Sequence, residues 1–179
     1  MMLFGAGMFT PAEENFWRIV KLERSYADRK SPNQDLQHTE AWLYLSRLRL
    51  GQQDKAVEPK SAYSLLYLLS GRIAAEDFAA ALTDAHFALL DQLEATLPAP
   101  TVVKTKDGQS VTVGARIERP ARDAIERRNS CLANFMLAEQ ALGLGNVERA
   151  KALFGIAADV GAESEVTHYI SKTELMRLG

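Results

Sequence analysis

Apolar residues recur with a helical period along most of the chain and with a period of two in one short stretch. Prolines, glycines and capping residues bound the helical segments and indicate where they begin and end. Helices are predicted over residues 1–6, 11–26, 36–50, 62–69, 74–97, from about 120 to 142, after Gly145, and over 164–178. This pattern predicts an all-α fold.

The stretch with a period of two follows Pro98 and Pro100, which interrupt the helical pattern. β-Branched residues alternate with other residues on both sides of Asp107-Gly108, and this arrangement predicts a β-hairpin over 101–114. An isolated hairpin is marginally stable in water, so we expect this one to pack on the helices or on a partner. Two interpretations stay open: a loop that decorates the helical domain, or an arm that contacts a partner or a second subunit.

One pattern of small and aromatic residues occurs twice. In each copy a glycine is followed, at the same spacings, by an apolar residue, an alanine, a phenylalanine and another apolar residue. The copies are Gly7, Phe9, Ala12, Phe16 and Ile19, and Gly145, Val147, Ala150, Phe154 and Ala157. A glycine in the left-handed conformation ends one helix, and the helix after it has small and aromatic residues on one face. The pattern therefore predicts closely packed antiparallel pairs of helices.

This pattern resembles the tetratricopeptide repeat (TPR), a two-helix unit of roughly 34 residues. The matching positions are Ala12 with Phe16, Ala150 with Phe154, and Trp42, Leu45 and Ser46, which match the start of another unit. Residues 42–51, 67–82 and 131–178 are also similar to bacterial envelope-associated members of the family that act as adaptors for other proteins.

The resemblance implies a TPR-like antiparallel helix-hairpin solenoid with one short β-hairpin insertion, in a single helical domain over 1–179. Its parts are a partial N-terminal repeat (1–26), divergent middle helices (36–97), the hairpin insertion (101–114), and a C-terminal repeat with a capping helix (117–179). Solenoid ends normally need a cap. The short first helix is therefore expected to leave Leu3, Phe4, Phe9 and Phe16 incompletely covered. Either a second copy or a partner covers them, or the middle segment folds back over them.

Composition places the chain among ordinary globular proteins. The 179 residues are 47% hydrophobic and 25% charged, with a net charge of −2, which gives no general attraction to nucleic acid. The arginines between 116 and 128 alternate with acidic residues and favour a solvated helix face.

No apolar run is long enough for a membrane span. Residues 1–8 lack the features of a signal peptide, so we expect a cytoplasmic location, or a periplasmic or envelope-associated one if a leader was removed.

No catalytic, cofactor-binding or metal-binding residue is predicted. The histidines, His38, His86 and His168, have no second ligand type at a metal-site spacing. Cys131 lies in an apolar helical run and is expected to be a buried, inert thiol. Glu165 and His168 share a predicted helix face, and this pair favours a surface hydrogen bond over a reactive site.

In TPR proteins the first helix of each unit lines a groove that holds a peptide or a partner helix. The residues expected to bind protein are Leu43, Arg47, Leu50, Leu132, Phe135, Glu139 and Leu142. Phe135 and Glu139 stand where some members carry the polar residues that clamp a peptide's C-terminal carboxylate, so a mixed apolar groove is expected.

We therefore expect a non-enzymatic adaptor that binds another protein. The first alternative is a self-assembling subunit, such as a homodimer joined through the N-terminal partial repeat or through the hairpin at 101–114. An enzyme with an unrecognised site is the remaining alternative.

Overall fold

The computed structural model describes residues 2–26, 34–52, 64–99, 101–114, 117–160 and 165–179. Its helices are α1 (Met2–Gly5), α2 (Phe9–Tyr26), α3 (Gln34–Arg49), α4 (Leu65–Leu69), α5 (Ala75–Thr96), α6 (Arg122–Gly143), α7 (Val147–Asp159) and α8 (Val166–Leu178). The strands β1 (Thr101–Lys104) and β2 (Ser110–Val113) pair antiparallel between α5 and α6. The mostly helical fold and the hairpin are thus confirmed. The predicted helix starts at residues 62 and 164 lie outside the described residues.

The two copies of the repeated pattern share one turn geometry. Gly7 and Gly145 adopt positive φ angles of 77° and 79°, a conformation that residues with a side chain rarely adopt. Their N–H groups donate to the carbonyl oxygens of Phe4 and Leu142 at 2.9 and 3.0 Å. The N–H of the following residue donates to the carbonyl one position earlier, at 2.9 and 2.8 Å. These bonds end α1 and α6 in the same way and turn the chain into α2 and α7.

A glycine two residues before each copy permits a close contact between helices. A Cβ atom built on Gly143 would lie 2.7 Å from Cγ of Leu48, and one built on Gly5 would lie 2.8 Å from Cδ1 of Ile170. Both distances are shorter than van der Waals contact, so the absence of a side chain allows these approaches. Gly143 brings the end of α6 against α3, and Gly5 brings α1 against α8. The first and last helices are therefore in contact.

The two copies of the pattern differ in burial at their last apolar position. Ala150, Phe154 and Ala157 are all fully buried in the second copy. In the first copy Ile19, the counterpart of Ala157, is 41% exposed, and Val20 is buried instead. The equivalence of Ile19 and Ala157 is therefore wrong, since in α2 the position after Ile19 is the one that faces the core.

The core contains a chain of aromatic rings that joins the two copies. Trp42 of α3 has ring centroids of Phe4, Phe16 and Phe135 within 5.2, 6.1 and 5.7 Å of its own. Phe135 of α6 then contacts Phe154 of α7, with centroids 6.0 Å apart. These side chains are buried and, with their aliphatic neighbours, form a continuous hydrophobic cluster. Burial of such large apolar surfaces is the main stabilising contribution to folding.

The N-terminal aromatic residues are covered more fully than the sequence predicts. Phe4 is 2% and Phe16 9% exposed, while Leu3 and Phe9 are half-buried. The prediction of incomplete cover is therefore wrong for Phe4 and Phe16. Trp42, which belongs to the middle segment, covers both rings, as the folding-back interpretation requires.

The outer part of α5 and the first half of α6 form an antiparallel pair with the β-hairpin at its end. We call the described residues between 84 and 128 (84–99, 101–114 and 117–128) the arm. Helix α5 has 22 residues and is therefore roughly 33 Å long. Ion pairs connect α5 with α6 and with the segment before it: Asp84 with Arg122 of α6, and Asp91 and Glu94 with Arg119 of that segment. Such exposed pairs orient helices but contribute little stability individually.

Candidate protein-interaction surface

The predicted groove residues do not form one open face. Leu43, Phe135 and Glu139 are at most 1% exposed, because α3 and α6 pack against each other where the groove was expected. Leu50, Leu132 and Leu142 are half-buried. Three of the seven side chains are thus core residues in this structure. A role of these residues in binding protein stays a prediction.

Arg47, the remaining predicted groove residue, contacts α2. Its Nε donates to Oε1 of Glu13 at 2.9 Å, and its guanidinium lies 5.3 Å from the ring of Trp17. The ammonium of Lys21 lies 5.1 Å from the same ring. Arg47 therefore joins α3 to α2 through an ion pair and a cation–π contact.

A cluster of charged residues joins three helices beside α2. In this Arg49 cluster, Nη1 of Arg49 donates to Oε2 of Glu139 at 3.1 Å, and Nη2 lies 3.9 Å from Oε2 of Glu174. Arg177 donates to the other oxygen of Glu174 at 2.5 Å. The guanidinium of Arg49 also stacks over the ring of Phe9, 4.5 Å from its centroid. One arginine of α3 thus holds carboxyl groups of both α6 and α8.

Burial changes the protonation of Glu139. Loss of solvent raises the pKa of the Glu139 carboxyl to about 8; the Arg49 charge opposes this rise and the Glu174 charge adds to it. A carboxyl with this pKa keeps a proton near neutral pH. Because Glu139 is 1% exposed, the group is enclosed by protein and has no open approach for a substrate. The Arg49 cluster is therefore a connection between helices.

The closing helix α8 buries polar residues and exposes apolar ones. Thr167, His168, Ser171 and Glu174 are buried, whereas Val166, Tyr169 and Met176 are 50%, 58% and 76% exposed. The predicted surface hydrogen bond between Glu165 and His168 is wrong. Glu165 pairs instead with Arg128 at 2.9 Å. Within the described part of the chain, neither ring nitrogen of His168 has a hydrogen-bond partner.

The β-hairpin at the end of the arm is exposed throughout. Every residue from 101 to 114 is exposed, so none is buried against the helices that the structure describes. Val103 and Val111 are directly opposite in the register and lie on one face, with Val113 beside them. These three valines are 44–55% exposed, and Val102 on the other face is 67% exposed. The hairpin therefore presents apolar side chains to solvent on both faces.

Helix α5 adds apolar surface to the same arm. One of its faces meets α6: Thr83 accepts a hydrogen bond from Asn129 at 3.0 Å, and Phe87 lies under the guanidinium of Arg122. Leu89 and Leu93, one helical turn apart, are 54% and 47% exposed. The arm therefore exposes apolar side chains on both α5 and the hairpin, and this makes it a candidate contact surface, since exposed apolar patches often mark interaction sites.

Sequence reasoning found the hairpin but missed the Arg49 cluster. Arg49 lies between Leu48 and Leu50 in the sequence, and this apolar setting is a signal that its side chain is partly buried. Nothing in the sequence indicates that Glu139 and Glu174 are its partners, because all three lie far apart in the chain.

One depression in the described residues is smaller than a usual ligand pocket. A depression of about 200 Å³ beside the α6–α7 turn is lined by Leu137, Gln140, Ala141, Leu144, Asn146 and Arg149. Ligand pockets usually measure about 300–1,000 Å³.

Among the described residues no group of three or more His, Cys, Asp or Glu side chains could hold a metal ion. In those same segments, no helix combines the length and apolar character needed to cross a bilayer.

Comparisons of the chain with protein-family models, with curated proteins and with solved structures found no match.

Proposed function

We propose that the protein is a non-catalytic interaction scaffold, built from TPR-like helical hairpins, that binds another protein chain through the arm. The observation that carries the proposal is the full exposure of the hairpin at the end of the arm. A two-stranded hairpin is marginally stable alone in water, and three or more strands or a packed face stabilise it. The exposed valines would gain this stabilisation by docking on a protein.

The TPR-like character is supported by the two equivalent turns. The hydrogen bonds and positive φ angles at Gly7 and Gly145 are the same, and each turn is preceded by a glycine that permits close helix contact. Repeated helical hairpins that stack through such contacts form extended scaffolds for other proteins.

The helical body supports this function by holding the arm in place. Helix α6 runs from the arm into the core, where Phe135 and Met136 are fully buried. Its partner α5 begins at Ala75 and buries Phe78 in the same hydrophobic cluster. An arm anchored at its base in this way presents its tip in a defined position. Pre-organisation of this kind reduces the entropy lost on binding.

Site-specific photo-cross-linking tests the proposal. A photoreactive phenylalanine derivative replaces Leu93 or Val102 on the arm, or Glu148 on the exposed side of α7 as a matched control. We expect protein adducts from both arm positions in cells that make the protein, and none from position 148. Adducts that are equally abundant at all three positions, or absent from the arm, would rule out the arm as the contact surface.

The second candidate function is a self-assembling subunit. The open edge of β2 favours it, since this strand has no charged residue that would oppose pairing with its own copy. In the cross-linking experiment the mass of the adduct separates the two functions. An adduct of twice the chain mass indicates self-assembly, and any other protein adduct indicates an adaptor.

A further inference from the structure

We propose that β2 pairs with β2 of a second copy of the chain, in an antiparallel register centred on Val111. The inference rests on the second candidate function, self-assembly, because it names the strand edge and the register through which two copies pair. It concerns the free edge of the hairpin, whose residues 101–114 are all exposed.

The hydrogen bonds of the hairpin show which backbone groups of β2 are free. At the turn, Thr105 N–H donates to the carbonyl of Gln109 at 2.8 Å, so these residues form a hydrogen-bonded pair. Pairs of an antiparallel ladder alternate between hydrogen-bonded and non-hydrogen-bonded. Ser110 and Thr112 therefore belong to non-hydrogen-bonded pairs with Lys104 and Val102. Their N–H and C=O groups point away from β1.

These outward groups match a second copy of the same strand. With Val111 opposite its own counterpart, Ser110 of each copy faces Thr112 of the other, and both form hydrogen-bonded pairs. Every outward N–H and C=O group of Ser110 and Thr112 is satisfied in this register. Val111 and its counterpart form a non-hydrogen-bonded pair, the type in which side chains lie closest together.

The distribution of charged residues favours β2 over β1 as the edge that pairs. It also favours a second copy of β2 as the partner strand over a charged segment of another protein. The strand β2 contains serine, valine and threonine only and is flanked by Gln109 and Gly114. The strand β1 contains Lys104, and Lys106 follows it. Lysine is one of the residues with which proteins protect edge strands from pairing. Because β2 has no charged side chain, electrostatic repulsion does not oppose its pairing with β2 of a second copy.

The side chains add an apolar contact to the backbone pairing. Val103, Val111 and Val113 share one face of the hairpin, so the paired sheet of four strands presents the valines of both copies on one side. Four-residue strands bury much less than the roughly 1,200–2,000 Å² of a standard stable interface. The dimer is therefore weak, and its population depends on protein concentration.

Cysteine cross-linking tests the register on the full-length protein. In Val111→Cys the two thiols face each other with Cα atoms about 4.5 Å apart, within disulfide range. In Val113→Cys, on the same face, the two thiols lie four residues apart along the strands, roughly 13 Å, which is beyond that range. With oxidised glutathione as the oxidant, which leaves as reduced glutathione, we expect a disulfide-linked dimer from Val111→Cys only. The native Cys131 is fully buried and is not expected to react.

Proline substitution tests the edge. Thr112→Pro removes an outward N–H of β2 and spares the bonds to β1, and Val102→Pro does the same on the edge of β1. Sedimentation from about 10 μM to about 1 mM, concentrations that reveal weak association, is expected to show a growing dimer fraction. We expect Thr112→Pro to abolish this dimer and Val102→Pro to leave it unchanged. Circular dichroism checks that both variants fold.

Three outcomes would overturn the inference: a monomer over the whole concentration range, equal cross-linking of the two cysteine variants, or loss of the dimer only with Val102→Pro. Any of these would leave the proposed function standing if the arm still cross-links to a different protein in cells. Failure of both experiments would remove the proposed function as well.

Discussion

Arg49 of α3 donates a hydrogen bond to Glu139 of α6 at 3.1 Å, and the same guanidinium lies 3.9 Å from the carboxylate of Glu174 in α8. These contacts connect segments that are distant in the chain. They also place an ionisable carboxyl where almost no solvent reaches it, since Glu139 is 1% exposed. The balance between burial and ion pairing at this point makes the stability of the fold depend on pH.

The first prediction concerns that pH dependence. The pKa of Glu139 in the folded chain, about 8, lies above the usual value of 4.5. Between about pH 5 and pH 8 the folded state binds a proton that the unfolded state has released. The free energy of unfolding should therefore fall as pH rises through this window, by up to about 1.4 kcal/mol per pH unit.

Urea denaturation at several pH values measures this effect. Glu139→Gln keeps an amide near Arg49 and removes the titrating group, so its stability should be nearly constant over the same window. Glu148→Gln, an exposed change on α7, should follow the wild-type profile. Identical profiles for Glu139→Gln and the wild type would show that Glu139 does not titrate in this range.

The second prediction uses two glycines in helices. Gly143→Ala places a methyl group 2.7 Å from Cγ of Leu48 and should lower the free energy of unfolding by about 1–3 kcal/mol, because the side chains must move apart. Gly155→Ala is the matched control, since nothing lies within 4 Å of its added Cβ. Alanine favours helix by about 1 kcal/mol over glycine, so this change should stabilise α7. Equal signs for the two changes would contradict the close approach at Gly143.

The third prediction separates core from surface in the predicted groove. Phe135 is fully buried between Trp42 and Phe154, so Phe135→Ala should cost about 3–5 kcal/mol of stability. Leu89→Ala on the exposed face of α5 should change stability by less than about 0.5 kcal/mol. Chemical denaturation measures both. A nearly neutral Phe135→Ala would indicate that this ring lies in an open groove after all.

The fourth prediction concerns the thiol of Cys131. Burial raises its pKa, its exposed fraction is 0%, and its sulfur lies 3.5 Å from Oγ1 of Thr167. Since the thiolate is the reactive form, iodoacetamide should modify Cys131 only as fast as the protein unfolds. A cysteine introduced by Val103→Cys on the exposed hairpin should react at once under the same conditions. Rapid modification of Cys131 in the native protein would show that α6 opens there.

Local features of this protein follow from its sequence because they depend on few neighbouring residues. A glycine such as Gly145 ends a helix through its own φ angle and two nearby hydrogen bonds, so the repeated pattern predicted both turns. The hairpin is local in the same sense: β-branched residues around Asp107-Gly108 specify its strands and their register. The burial of Cys131 also followed from its apolar helical surroundings.

Tertiary structure alone decided which helix faces are covered. Val166 and Tyr169 are apolar residues of the predicted closing helix, yet α8 leaves them exposed and turns His168 and Glu174 inward, where Arg49 and Arg177 hold Glu174. Desolvating such groups is unfavourable unless partners from other segments surround them, and a sequence does not specify partners that lie far apart in it. The exposure of the hairpin valines was decided in the same way, because burial depends on which surfaces meet when the helices pack.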